Sequence, residues 1–132
     1  MTYHLQIVTP DGRYFDGQAE KIIVPTINGP VGILARHINY VTALGMGQAK
    51  VVTAEGARQA ACIGGMVAVT DGAVKVLATT FEWAEDIDVP RAEASLARAE
   101  AMLADPNTDE QTKQYASARK KRALVRLSVA RK

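Results

Sequence analysis

The chain has 132 residues, of which 48% are apolar and 23% charged, with a formal net charge of +2. That composition belongs to one globular domain, or to a small domain with an appendage, and it excludes disorder throughout. No apolar run approaches the length of a membrane span, the N-terminus lacks a leader pattern, and the single Cys62 excludes an internal disulfide, so a soluble protein in a reducing compartment is expected.

The first part of the chain reads as strands. Tyr3, Leu5 and Ile7 alternate with His4 and Gln6, and Pro10-Asp11-Gly12 turns the chain toward a second strand at 13–15. Residues 21–24 form the next strand, stopped by Pro25. The following stretch, Thr26-Ile27-Asn28-Gly29-Pro30-Val31-Gly32-Ile33-Leu34, carries Asn-Gly and Pro-x-Gly turn signals inside an apolar run. It reads as an apolar loop, either folded over the core or offered to a partner. Further strands are expected at 39–44, 48–53, 58–63, 66–70 and 74–79, separated by Gly45-Met46-Gly47, Glu55-Gly56, Gly64-Gly65 and Asp71-Gly72. Short strands with such turns imply an antiparallel β-sandwich or barrel.

At Ala84-Glu85-Asp86-Ile87-Asp88-Val89-Pro90-Arg91-Ala92 the pattern changes, and no glycine occurs from Ile87 to Lys132. Asp88 is a good helix N-cap, and Pro90 falls in the first turn, where its missing N–H costs nothing. Ala92, Leu96, Ala99 and Leu103 share one helical face, and Asp105-Pro106-Asn107 ends that helix. Thr108 and Gln111 have capping-box spacing for a second helix reaching about Val129, with Tyr115, Ala116, Ala123, Leu124 and Leu127 on its apolar side. The short connection predicts an antiparallel helical hairpin. Its facing residues are mostly alanine, and at about 0.8 kcal/mol per buried CH₂ such a hairpin is held together weakly. The expected architecture is therefore mixed β and α: an antiparallel β-sandwich over 1–86 and a two-helix hairpin over 87–132.

Charge divides along the same line. Residues 1–86 carry six basic and eight acidic side chains, and 87–132 carry ten and six; from Lys113 onward there are eight basic residues and no acidic one. A basic helix of this kind is a solvated face, or it meets an acidic protein surface, or it meets nucleic acid. Tyr115 is the only aromatic residue after Trp83, too few for stacking on bases, so no nucleic acid partner is expected. A nucleic-acid-binding β-domain with a basic helical tail is the alternative reading.

Catalysis finds no support. No nucleophile is paired with a base, no Cys/His spacing suits a metal, and no Gly-x-x-x-x-Gly-Lys loop is present. His4 and His37 read as structural residues, and Asp86 and Asp88, two apart at a helix start, as capping residues more than as paired acids.

Phe15-x-Gly17, Val24-Pro25, Gly29-x-x-Gly32-Ile33-Leu34, His37, Leu44, Gly64-Gly65, Val76-Leu77-Ala78 and Ile87-Asp88-x-x-Arg91-Ala92 stand in one order along the entire chain. In that order and spacing the chain resembles the epsilon subunit family of rotary, F-type ATP synthase. The resemblance implies a non-catalytic rotor subunit, a peripheral protein on the cytoplasmic face of the cell membrane that touches the membrane only through its complex. Its β-sandwich would join the gamma subunit to the c-ring through Asn28, Gly29, Pro30, Val31, Gly32, Ile33, Leu34 and His37. Its hairpin would restrain ATP hydrolysis, with Arg119, Lys120, Lys121 and neighbouring basic residues facing the catalytic alpha and beta subunits. The same resemblance implies no required cofactor but ATP as a regulatory ligand, held at Glu82, Asp88, Arg91, Ala92, Arg122 and Arg126. Pro30 stands where relatives carry an acidic residue, so a salt bridge from that point to the c-ring is not expected.

Overall fold

Three hairpins in the first half of the chain share one device. In Thr9-Pro10-Asp11-Gly12, Thr26-Ile27-Asn28-Gly29 and Thr53-Ala54-Glu55-Gly56 the threonine hydroxyl donates to the glycine carbonyl, at 3.5, 2.6 and 3.4 Å. The same oxygen accepts the backbone N–H two residues on, at 3.1, 3.1 and 3.2 Å. Each glycine takes a positive φ, of +135°, +104° and +123°, which closes the turn without strain only where there is no Cβ. A threonine at the last strand position and a glycine three residues later thus fix three turns in the same way.

The computed structural model describes residues 1–130. Its strands are β1 (Tyr3–Thr9), β2 (Gly12–Ala19), β3 (Lys21–Thr26), β4 (Gly29–Leu34), β5 (Tyr40–Ala43), β6 (Met46–Thr53), β7 (Gly56–Thr70) and β8 (Ala73–Trp83). A short 3₁₀ turn at Ala84–Asp86 leads to helices α1 (Val89–Ala104) and α2 (Glu110–Ala130). The chain divides into two compact units, Met1–Ala84 and a second beginning at Glu85.

Within the first unit the strand order is β2-β1-β8-β7-β6-β3-β4, with β5 also on β7 and only the β1–β8 pair parallel. One half of β7 pairs β6 (Met46↔Ile63) and the other pairs β5 (Ala43↔Met66), along the same edge. Between them Leu44 N–H donates to Gly65 O at 2.8 Å and Gly64 N–H donates to Gly45 O at 2.9 Å. Gly64 and Gly65 both take positive φ there, +71° and +108°. Strand β7 therefore runs unbroken through both layers of a β-sandwich and bends at its glycines. Inside lie the fully buried side chains of Leu5, Ile7, Ile22, Ile33, Val76 and Phe81. Burying each stabilises the sandwich by about 1.5–3 kcal/mol.

Several expectations need correction. Gly64-Gly65 does not separate two strands, because a glycine pair lets a strand turn a corner without losing its ladder. The stretch 28–34 is not a loop: only Ile27 and Asn28 form the turn, and Gly29–Leu34 is β4, paired with β3 from Thr26↔Gly29 to Lys21↔Leu34. Its turn signals do not break it because β4 is an edge strand, where the missing N–H of Pro30 loses no ladder bond.

In the second unit Asp88 caps α1 as expected, accepting Arg91 N–H at 3.1 Å, with Pro90 in the first turn. The cap of α2 is Asp109, not Thr108: its Oδ1 accepts Thr112 N–H at 2.7 Å, and hydrogen bonding to the Thr112 side chain foremost, then to its backbone, holds the Asp109 carboxyl below its usual range. Thr108 is occupied in the preceding turn, its N–H donating to Asp105 O at 3.2 Å. Ala92, Ala99, Ala116, Ala123 and Leu127 are buried, and Leu96 and Leu103 are half-buried. Tyr115 and Leu124, expected on the apolar side, are exposed. Side chains as small as alanine bring helix axes close, which leaves larger residues beside the seam outside it.

The corner at Gly65 generates a test. A Cβ there would stand 2.0 Å from Leu77 O and 2.8 Å from Ala78 Cα, at a φ that L-residues avoid. Gly65→Ala is expected to destabilise the protein by about 2–4 kcal/mol in urea unfolding followed by Trp83 fluorescence. Gly56→Ala, with nothing within 4 Å of its Cβ, should cost about 1 kcal/mol.

Candidate functional site

Two surfaces of the first unit and one end of the second unit hold the features that the folding core does not consume. The β3–β4 hairpin is the first. Its tip residue Ile27 is 68% exposed and Leu34, at the other end of β4, is 58% exposed, while Asn28, Pro30 and Gly32 also face solvent. Ile33 points inward and is fully buried; together with Tyr3, whose hydroxyl donates to Ile33 O at 2.8 Å, it anchors the hairpin to the core. Burial raises that hydroxyl's pKa to about 12, so the anchor stays protonated. Gly45 and Gly47 let the hairpin approach β6 closely: Gly45 N–H donates to Pro25 O at 2.9 Å, and a Cβ on Gly45 would lie 2.9 Å from Thr26 O. His37 stacks edge-on against Tyr40 with ring centroids 5.8 Å apart, and its Nδ1 lies 2.8 Å from Ile38 O. It is a structural histidine of the β4–β5 connection, next to Ile38, which is 77% exposed.

The second surface was not legible as a unit in the sequence. Pairing puts Val8, Leu77, Met66 and Ala43 in one cross-strand row over β1, β8, β7 and β5. The next row is Gln6, Lys75, Ala68 and Val41. Leu5, Ile7, Val67, Val74 and Val76, their sequence neighbours, are buried on the other face. Met66 and Leu77 are each 41% exposed and Val41 60% exposed, so this sheet face presents a contiguous apolar band to its surroundings. Period-two alternation in each strand was the available signal, but which strands lie side by side is a matter of topology.

In the second unit the antiparallel register is fixed by Arg119 Nε, which donates to Ser95 Oγ at 2.8 Å. Seven residues before Ser95 is Asp88, and seven after Arg119 is Arg126; each step is about two helical turns, so these two lie at one level. By the same count Ala92 is level with Arg122. The start of α1, with Arg91 exposed, and the end of α2 are thus at one end of the hairpin. Glu82 belongs to the first unit, half-buried on β8. Lys120 and Lys121 continue the basic side of α2, whereas Arg119 is engaged with Ser95.

Against known proteins, residues 2–84 match the family model for the ATP synthase delta/epsilon chain β-sandwich domain, and residues 85–131 match that for its long α-helix domain. The ATP synthase epsilon chain of Ruminococcus albus is 40% identical over 131 residues, covering 98% of this chain and 97% of that one. That of an Exiguobacterium species is 39% identical over 129 residues, covering 97% and 95%. Among solved structures, a chain of the Euglena gracilis mitochondrial ATP synthase superposes with a TM-score of 0.82 at 24% identity, covering 97% of this chain and 80% of that chain. A chain of the Tetrahymena thermophila mitochondrial ATP synthase gives 0.60 at 17% identity, covering 96% and 95%. Both share the fold.

Among the described residues no three His, Cys, Asp or Glu side chains gather to hold a metal ion. Cys62 is fully buried at the middle of β7, and burial pushes its thiol up to about 12. Only the thiolate attacks, so Cys62 should resist alkylation by iodoacetamide at pH 8 in the native protein and react completely once urea unfolds it, as read by mass spectrometry.

Proposed function

Because this chain belongs to the ATP synthase delta/epsilon family as a non-catalytic, epsilon-type subunit, we propose that it is a rotor part that couples the gamma subunit to the c-ring and restrains ATP hydrolysis. The observation that carries this reading is the pairing of a cohesive β-unit with a basic hairpin whose seam is alanine. The sandwich is the constant attachment, made through the exposed side of the β3–β4 hairpin (Asn28, Gly29, Pro30, Gly32, Leu34), through the neighbourhood of His37, and through the apolar band. A contiguous apolar surface is costly to leave in water unless a partner covers it. The complex then holds the chain at the membrane; among the described residues no helix is long and apolar enough to cross one.

The hairpin is the regulatory arm. Lys120, Lys121 and Arg122 meet acidic groups of the catalytic subunits; exposed pairs are worth about 0–1 kcal/mol each, so several act together. ATP is the ligand that governs the arm. Arg91, Arg122 and Arg126 belong to the start of α1 and the end of α2, at one end of the hairpin, and a triphosphate offers arginine paired oxygens. Asp88 keeps its capping bond and is of the wrong sign for phosphate; its role is to orient the arginines or to accept from adenine or ribose. A ligand at one hundred times its dissociation constant adds about 2.7 kcal/mol to the state it prefers, a sum comparable to the cohesion of an alanine seam.

Two measurements test this. In titration calorimetry the isolated chain should take up ATP, with affinity falling at least tenfold for Arg91→Ala and Arg126→Ala; absence of heat with the wild type, or unchanged affinity in both variants, refutes the ligand. In the assembled enzyme, replacing Lys120, Lys121 and Arg122 together with alanine should raise ATP hydrolysis several-fold, whereas each single change should do little.

A further inference from the structure

A groove of about 240 Å³ opens on the same sheet face as the apolar band, lined by His4, Gln6, Ala68, Thr70 and Lys75, with Ala73 and Val74 beside them. Its chemistry differs from that of the band. Lys75 is exposed on the row Gln6↔Lys75↔Ala68, and among the described residues it has no carboxylate partner. Asp16 on β2, paired across from Gln6, is engaged elsewhere: its Oδ1 lies 2.5 Å from His4 Nε2, and its Oδ2 accepts from Arg13 at 3.0 Å and from Gln6 at 3.4 Å. These bonds, that from His4 foremost, hold the Asp16 carboxyl below its usual range. Asp16 is thus paired with Arg13 and bonded to the His4 ring at Nε2. No carboxylate lines the groove itself.

We infer that this groove receives an acidic side chain of the partner protein that covers the apolar band. The inference rests on the docking of this face proposed above and adds to it the charge that sets its register. Lys75 supplies the countercharge, and the Gln6 amide and the Thr70 hydroxyl supply neutral hydrogen-bond donors around the carboxylate. The band alone would bind any flat apolar surface, sliding along the strands at little cost. One cation beside it, satisfied only when an acid is opposite, penalises every other register by leaving a desolvated charge unpaired. The groove holds a single lysine, so an extended polyanion is a poorer occupant.

The test uses the full chain and the ATP synthase head from which this subunit has been stripped, with affinity measured by interferometry at several salt concentrations. Lys75→Glu should weaken binding about tenfold or more, Lys75→Arg should stay near wild type, and Lys75→Gln should flatten the salt dependence. Met66→Asp is the companion variant for the face itself; all of these positions are exposed, and an unchanged Trp83 fluorescence melt shows that each variant is folded. If Met66→Asp abolishes binding while Lys75→Glu binds as wild type, the face docks but takes no acid there, and the inference is overturned. If neither change matters, the docking of this face fails and the inference with it. Inorganic phosphate bound by the isolated chain in a Lys75-dependent way, with docking indifferent to Lys75→Glu, would assign the groove to a free anion and overturn it as well.

Discussion

The structure depends on β8 remaining paired with β7 from end to end while the sheet turns a corner. Their register holds from Thr70↔Ala73 to Ala60↔Trp83. On the opposite edge of β7 the neighbour changes from β5 to β6 without a break in hydrogen bonding. Unpaired backbone groups at the centre of a sheet would each cost about 1–3 kcal/mol, so a corner is tolerable only where the ladder survives it. Gly64 and Gly65 satisfy that condition by taking positive φ where Leu77 and Ala78 come too near for a Cβ.

From that corner follow both faces of the layer that carries β1, β8, β7 and β5. Inward side chains fill the core with Ile, Val and Leu; outward ones form the apolar band and, one row away, the groove with Lys75. Strand pairing thus places residues from four distant parts of the sequence within reach of one partner. The three Thr-x-x-Gly turns serve the same end at the rim, since each satisfies the threonine hydroxyl inside the turn and lets the strands begin in register.

The second unit is built on a different principle. Its buried residues are four alanines with Ile87, Leu127 and Val129, and Arg119 bonds to Ser95 between its helices. Each buried alanine methyl contributes about as much as one CH₂, against the 1.5–3 kcal/mol of a buried Ile or Leu in the sandwich. Cohesion is therefore high in one unit and low in the other, a difference that suits a fixed attachment joined to a movable arm.

By itself the sequence determined what local periodicity and local chemistry can determine. Alternation specified most strands, Asp88 and Pro90 specified the start of α1, the loss of glycine after Ile87 marked the change from β to α, and the ordered motifs pointed to the family. It misjudged the places where a neighbour decides. Gly64-Gly65 reads as a turn in isolation and becomes a corner only because β5, β6 and β8 hold the strand on both sides. Residues 28–34 read as a loop and become β4 only because β3 supplies a partner at an edge where Pro30 needs no N–H. Asp109 takes the cap of α2 from Thr108 because the turn before it already occupies the Thr108 N–H. The apolar band and the Lys75 groove were invisible for the same reason: a strand's own sequence says which residues share its face, and only the order of strands in the sheet says whose side chains lie beside them.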